Sequence, residues 1–397
     1  MDIIPYARQH ITQEDINVVI ETLKSDFLTQ GPKIVEFEEA FANYLGAKFA
    51  VAVTSGTAAL HLCTLALDVS KGKKVITTPI TFVASANCIR YCDGEVVFAD
   101  IDPETYIIDY HSVEKLLEAS PIGTYQGIIP VDLAGRAVDL EKFRTLADKY
   151  NLWIIEDACH APGGFFVDSK GNNQNCGNGN FADLAIFSFH PVKHITSGEG
   201  GMITTNDEKL YNKLKTLRNH GITRDNVLFQ NDINFASDSE NQIDFPTWYM
   251  EMQMLGFNYR LTDFQAALGL SQLQRAQSGI LRRREIALIY DNAFRGKCFV
   301  IRQSRYVEGH AFHLYILEVQ DRIGLYNYLR KNNVFTQIHY IPCHLMPYYK
   351  DLGWKEGDMP KAERYYKNCI SLPMYATLSI QEQQYTIDLI NSFYVSN

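Results

Sequence analysis

Apolar positions along the chain follow two periods, and the switches between them outline the fold. Thr12 is placed to cap a helix whose apolar face is Ile16, Val19, Ile20 and Leu23. A second helix opens at Pro32, carries Ile34, Phe37, Phe41 and Tyr44 on one side, and stops at Gly46. Short apolar runs then alternate with helical stretches. FAVAV (49–53), KVITT (74–78), VVFAD (96–100), GIIPVD (127–132), LWIIED (152–157) and ADLAIFSF (182–189) read as strands. A small-residue helix starts at Ser55, and Asp139 caps another that runs through Tyr150. Buried strands separated by helices predict an α/β fold with a mostly parallel sheet covered on both faces. Such sheets place their sites at the carboxyl ends of the strands.

Residues 223–250 are polar and rich in Asn and Asp, which predicts a long loop or insertion. A long helical pattern follows from about Leu261 to Phe294. It divides the chain into a large domain, 1–275, and a smaller α+β domain, 276–397, in which FHLYILEV is strand-like.

Composition narrows the class. The 397 residues are too many for one ordinary core and suit about two domains. Apolar residues at 46% and charged residues at 21% are those of a soluble globular protein. A formal net charge of -9 argues against a general nucleic-acid binder, although local phosphate binding stays open. The eight cysteines form no CxxC pair and no zinc spacing with histidine, so reduced thiols in a cytoplasmic protein are expected and no metal is. The first residues lack a signal-peptide layout, and no stretch approaches a membrane span.

Three strand ends carry candidate chemistry. After FAVAV come Thr54-Ser55-Gly56-Thr57, where small residues at a strand-to-helix junction let backbone N–H groups reach an anion. A tight turn with an ordinary cap would look the same. LWIIED ends in Glu156-Asp157, and a carboxylate there can hold a protonated ring nitrogen or merely cap a helix. AIFSF delivers Ser188 and then Lys193, followed by Gly198, Gly200 and Gly201. Its amine could form a Schiff base, or could be a solvated loop lysine. Together, an anion cradle, an acid for a ring nitrogen and an imine-forming lysine are the parts a pyridoxal phosphate enzyme needs.

TSGTAAL, TTPITFVASAN, EDACHA and SFHPVKHITSGEGGMITTND resemble the signature segments of sugar aminotransferases of the DegT/DnrJ/EryC1/StrS family. The resemblance runs from Ile4-Pro5-Tyr6 to the last helix. It implies the PLP-dependent transferase fold type I, like that of aspartate aminotransferase. SFHPVK and WYMEMQMLGFNYRLTDFQAALG (248–269) resemble the subgroup that aminates C4 of UDP-linked 4-keto-6-deoxy-N-acetylhexosamines in pseudaminic acid synthesis.

The resemblance implies that Lys193 joins pyridoxal 5'-phosphate covalently and that Asp157 pairs with its pyridine nitrogen. It implies that His160 supports the ring and Phe82 stacks on it, while Gly56, Thr57 and Ser188 hold the phosphate. Asn258 of GFNYR would reach the phosphate of a neighbouring subunit, which requires a homodimer with shared sites. Arg224 and Arg260 become candidates for the nucleotide diphosphate. Tyr6, Arg8, His313, Tyr315 and Tyr340 resemble substrate-lining positions, although packing is the ordinary role of such tyrosines in a chain with 23 of them. An amino acid donor, L-glutamate, would leave the cofactor as pyridoxamine 5'-phosphate, which passes the amine to the keto sugar.

Two positions depart from the family pattern. Ala7 stands where the family often has glycine, and His194 follows Lys193 directly. In a dehydratase branch a histidine takes the lysine's own place, so keeping Lys193 favours transamination. Other readings stay open: C4 amination of a perosamine-like or 4-amino-arabinose-like sugar, 3-amination, dehydration, or a non-catalytic regulator. A Rossmann-type oxidoreductase ranks last, because no GxGxxG follows the first strand.

Overall fold

In the computed structural model, residues 2–237 and 243–395 are described. Part of the predicted insertion, 238–242, lies outside them. A seven-stranded sheet forms the centre, in the spatial order Phe49–Val53, Gly201–Thr205, Leu184–Ser188, Trp153–Asp157, Tyr125–Ile129, Lys74–Thr77, Glu95–Phe98. Every neighbouring pair is parallel except the two made by Gly201–Thr205, which runs antiparallel between its neighbours. All six predicted strands are present. Gly201–Thr205 was not among them.

Alternation along the strands builds three buried clusters. Val51, Ile155, Ile186 and Ile203 face one buried cluster. Ala50, Ala185, Phe187 and Met202 face a second, and Ile76, Ile128 and Ile154 a third. Burial on both faces is what a mostly parallel sheet requires.

The helices form where their caps predict. Ser55 Oγ accepts from the Ala58 N–H at the start of Gly56–Ala66, and Asp139 does the same for Lys142 in Leu140–Tyr150. Gly46 ends Pro32–Leu45 in the left-handed region, at φ 85°.

Two expectations need correction. The pattern from Leu261 to Phe294 is not one helix but two, Asp263–Leu273 and Ala276–Phe294. The first lies on the helices Gln13–Leu23 and Pro32–Leu45. The second buries Ile286, Tyr290 and Phe294 in the C-terminal core. One straight rod cannot serve both surfaces. The break comes at Arg275, whose guanidinium is held by Asp15 Oδ2 at 2.7 Å. The second correction concerns Gln13–Leu23. Ile16, Ile20 and Leu23, predicted to face the core, are exposed. The helix instead buries Asp15 and Thr22. Asp15 accepts from Ser271 at 2.6 Å and Gln272 at 2.8 Å, so a polar stripe docks and the apolar one is left outside.

The predicted loop 223–250 is clasped at its base by Ile222–Thr223 pairing with Glu251–Met252. Within it lie short helical turns at Asn226–Leu228 and Ile233–Ser237. The C-terminal part builds a three-stranded antiparallel sheet, Val300–Gln303, Tyr315–Val319 and Cys369–Leu372. Ile4 packs in that core and pairs with Val334 in a single bridge, so the N-terminal segment crosses to it. Among the described residues no helix is long and apolar enough to cross a membrane. All eight cysteines are free.

Candidate active site

A cavity of about 390 Å³ opens at the carboxyl ends of the parallel strands. Each strand end supplies part of its wall. Ser55, Gly56 and Thr57 follow Phe49–Val53, and Thr81 and Phe82 follow Lys74–Thr77. Asp157 and Ser188 end their own strands, and Lys193 comes five residues after Ser188. The first N–H groups of a helix have no partner inside it. Gly56 and Thr57 therefore bring donors and the positive end of a helix dipole to the cavity wall. A Cβ on Gly56 would stand only 3.0 Å from Ser188 Cβ, so the absent side chain is what lets these strand ends close up.

Asp157 is buried and doubly anchored. Its Oδ2 accepts from Ser85 at 2.6 Å and its Oδ1 from the Cys159 N–H at 3.2 Å. Ser85 in turn meets Thr81 Oγ1 at 2.8 Å. A buried carboxylate fixed in this way suits a cationic ring nitrogen. Behind it, Asp132 accepts from the Val138 N–H and Glu156 from the Gly177 N–H, both at 2.8 Å. Burial raises the carboxyls of both Asp132 and Glu156, and the Asp132 charge lifts Glu156 further.

Burial lowers the Lys193 amine below its ordinary value, against the opposing pull of Cys159 and Asp157. A lowered value leaves more free amine for attack on a carbonyl. Four histidines surround this region. His160 and His313 pack at 4.3 Å between centroids with their planes tilted by 33°, and His194 meets His313 edge-on at 5.5 Å. Burial pulls His160, His194 and His313 well below the usual histidine value and brings His339 to about 3, and the Lys193 charge pushes the same way.

The structure gathers Tyr6, Gly56, Thr57, Phe82, Asp157, His160, Ser188, Lys193 and Tyr340 around one cavity. Six predicted residues lie elsewhere. Tyr315 is fully buried in the C-terminal core, where its hydroxyl donates to Asp291 at 2.8 Å. It is a packing residue, because the strand Tyr315–Val319 turns it towards Tyr290 and away from the cavity. His313 sits one layer back, behind His160. Arg8 lies over the Tyr375 ring. Asn258 is exposed and bridges to Asn219, to which Arg260 also donates. Arg224 lines a separate hollow of about 350 Å³ with Phe229, Phe245 and Tyr249. Ser85, Cys159, His190 and Glu199 also line the cavity, unforeseen. Ser85 lies in the quoted TTPITFVASAN segment, but nothing in its spacing points to Asp157.

Comparison with known proteins gives one family. The profile of the DegT/DnrJ/EryC1/StrS aminotransferase family matches residues 9–391. The spore coat polysaccharide biosynthesis protein SpsC of Bacillus subtilis is 37% identical over 98% of this chain and 96% of its own. The UDP-4-amino-4,6-dideoxy-N-acetyl-beta-L-altrosamine transaminase of Campylobacter jejuni is 34% identical over 98% of this chain and 97% of its own. Helicobacter pylori PseC, an aminotransferase of pseudaminic acid biosynthesis, superposes with a TM-score of 0.86 at 31% identity, covering 100% of both chains. The PLP form of the putative sugar aminotransferase Spr1654 of Streptococcus pneumoniae does so at 0.85 and 29%, covering 99% of both. The fold is therefore PLP-dependent type I, and the cavity's donors, buried carboxylate and amine fit pyridoxal phosphate.

Proposed function

We propose, from the premise that this chain belongs to the DegT/DnrJ/EryC1/StrS aminotransferase family, that its substrate is a UDP-linked 4-keto-6-deoxy-N-acetylhexosamine aminated at C4 at the expense of L-glutamate. Sugar transamination follows from the family. The sugar and the donor are our reading, supported by the 34% identical Campylobacter transaminase and the PseC likeness. The observation that carries the transamination chemistry is the convergence of the Lys193 amine, the Asp157 carboxylate and the Gly56–Thr57 helix end on one cavity.

Pyridoxal phosphate, when bound, supplies the electron sink and carries the amino group between the two substrates. The protein's residues supply the rest. The N–H groups of Gly56 and Thr57, with the Ser188 hydroxyl, bind the phosphate. Asp157, held by Ser85 and Cys159, keeps the proton on the pyridine nitrogen. Phe82 would cover the ring face, and His160 would pack beside it. Lys193 would hold the cofactor, and its amine would take a proton from the donor's alpha carbon. In the second half it moves a proton onto the sugar's C4, so one amine serves both directions.

The site is read as shared between two subunits. Asn258, Arg260 and Arg224 stand outside the cavity of their own chain, which suits residues that serve a partner. The exposed stripe Ile16, Ile20 and Leu23, with Phe27 and Leu28, offers an apolar surface for the second copy.

Purified protein supplied with glutamate and a panel of 3-keto and 4-keto nucleotide sugars should give a 4-amino UDP-sugar by mass and NMR. Amination at C3, or loss of water without gain of nitrogen, would overturn this reading.

A further inference from the structure

The hydrogen bonds around His160 have a fixed direction, and that direction reaches Tyr340. The Ala134 N–H stands 3.2 Å from His160 Nδ1. An amide N–H can only donate, so Nδ1 is the unprotonated nitrogen. The two backbones run close here, since a Cβ on neighbouring Gly135 would lie 2.8 Å from the His160 carbonyl oxygen. The His313 ring packs against the imidazole at 4.3 Å between centroids, with the planes tilted by 33°.

His160 is buried, and burial, helped by Lys193, His339 and His194, holds it well below the usual histidine value. The ring is therefore neutral, and its hydrogen resides on Nε2. Nε2 lies 3.3 Å from Tyr340 Oη. With Nε2–H donating, the Tyr340 oxygen is the acceptor in this pair. Its own hydrogen is then directed elsewhere. Tyr340 lines the cavity beside Tyr6, Phe82, Lys193 and His339, and burial keeps its phenol protonated.

We infer that Tyr340 is an obligate hydrogen-bond donor to the cavity, set in that sense by Ala134 through His160, and that it serves an acceptor oxygen of a bound molecule. Two sources carry that chemistry, the cofactor's ring oxygen and an oxygen of the keto sugar. The identity of the acceptor rests on the proposed function; the polarity of the relay does not.

The test has two arms. In apoprotein carrying 15N-histidine, the His160 signal is assigned by its loss in His160→Gln. At pH 7 it should report a neutral ring with the hydrogen on Nε2. A hydrogen on Nδ1, or a doubly protonated ring, overturns the inference whatever the substrate proves to be. In the second arm, Tyr340→Phe removes only the hydroxyl and keeps the ring. Losing a hydrogen bond to a charged or strongly polar oxygen should cost about 10- to 100-fold. If the acceptor is the cofactor, the pH midpoint of its visible absorbance moves by about one unit or more. If it is the sugar, kcat/KM for the keto sugar falls by that factor, with the loss confined to the second half-reaction. A Tyr340→Phe protein that binds cofactor and changes neither quantity refutes the donor role. A variant that cannot bind cofactor leaves the nitrogen-15 arm to decide.

Discussion

Consider a single methyl group added at Gly56. Its carbon would lie 3.0 Å from Ser188 Cβ, 3.5 Å from Ser188 Oγ and 3.5 Å from Cys159 Sγ. Only the first is too close, by a few tenths of an ångström. Ser188 has little room to yield, because it ends a strand and pairs with Gly201. A Cβ on Gly201 would itself meet the Ser55 carbonyl oxygen at 2.5 Å, so that flank is packed tight as well. The strain falls on the Ser188 side chain, whose hydroxyl is assigned to the cofactor phosphate. A hydrogen bond to a charged group is worth about 1.5–3 kcal/mol, so misaiming it should weaken phosphate binding by roughly 10- to 100-fold. The fold itself should hardly suffer, because the overlap is only a few tenths of an ångström and falls on one small side chain. Gly56→Ala should therefore melt near the parent apoprotein yet bind pyridoxamine phosphate more weakly. That form is the right probe, since it makes no covalent bond to Lys193. Ser188→Ala supplies the cross-check. If the methyl acts through the hydroxyl, Gly56→Ala should add little in that background. Unchanged affinity in the single variant, or full additivity in the double, would refute the reasoning.

Three further outcomes are expected. Tyr315→Phe should lower stability by about 1.5–3 kcal/mol, through the lost bond to Asp291, and leave KM for the sugar unaltered; a tenfold rise in KM would return it to the site. Burial raises the Asp15 carboxyl, but Arg275, Ser271 and Thr12 outweigh it and bring it from 3.8 to about 2. A depressed carboxyl stabilises the fold above its unfolded value and loses that stabilisation as pH falls through the folded one, so Asp15→Asn should cost about 2 kcal/mol at pH 7. That gap should close between about pH 5 and 2, and one that stays constant in chemical denaturation would exclude the linkage. Ile16→Asp with Ile20→Asp, on the exposed stripe, should convert a dimer into monomers by sedimentation and abolish turnover; a wild-type protein that sediments as an active monomer would end the shared-site reading.

What the sequence made legible follows the range of each interaction. Caps and strand ends are local, so Ser55, Asp139 and Gly46, and the positions of Asp157, Ser188 and Lys193, could be read directly. Gly201–Thr205 escaped because GMITT follows a glycine-rich turn and its antiparallel pairing depends on two strands far away in sequence. Tyr315 was misplaced because a resemblance marks a segment, whereas strand alternation decides which of its residues face a cavity. Ile16 and Ile20 show the opposite failure. Their period announces a buried face, but within the chain they are exposed, and Asp15 with its 2.7 Å bond to Arg275 fixes the helix the other way round. An apolar stripe outside and a charged residue inside are inconsistent within one chain. They become consistent if the surface that completes Gln13–Leu23 belongs to a second copy, and the same copy would account for Asn258 and Arg260 standing off their own cavity. A second copy would thus give one physical explanation to the helix that reads wrongly and to the site residues that stand off the cavity.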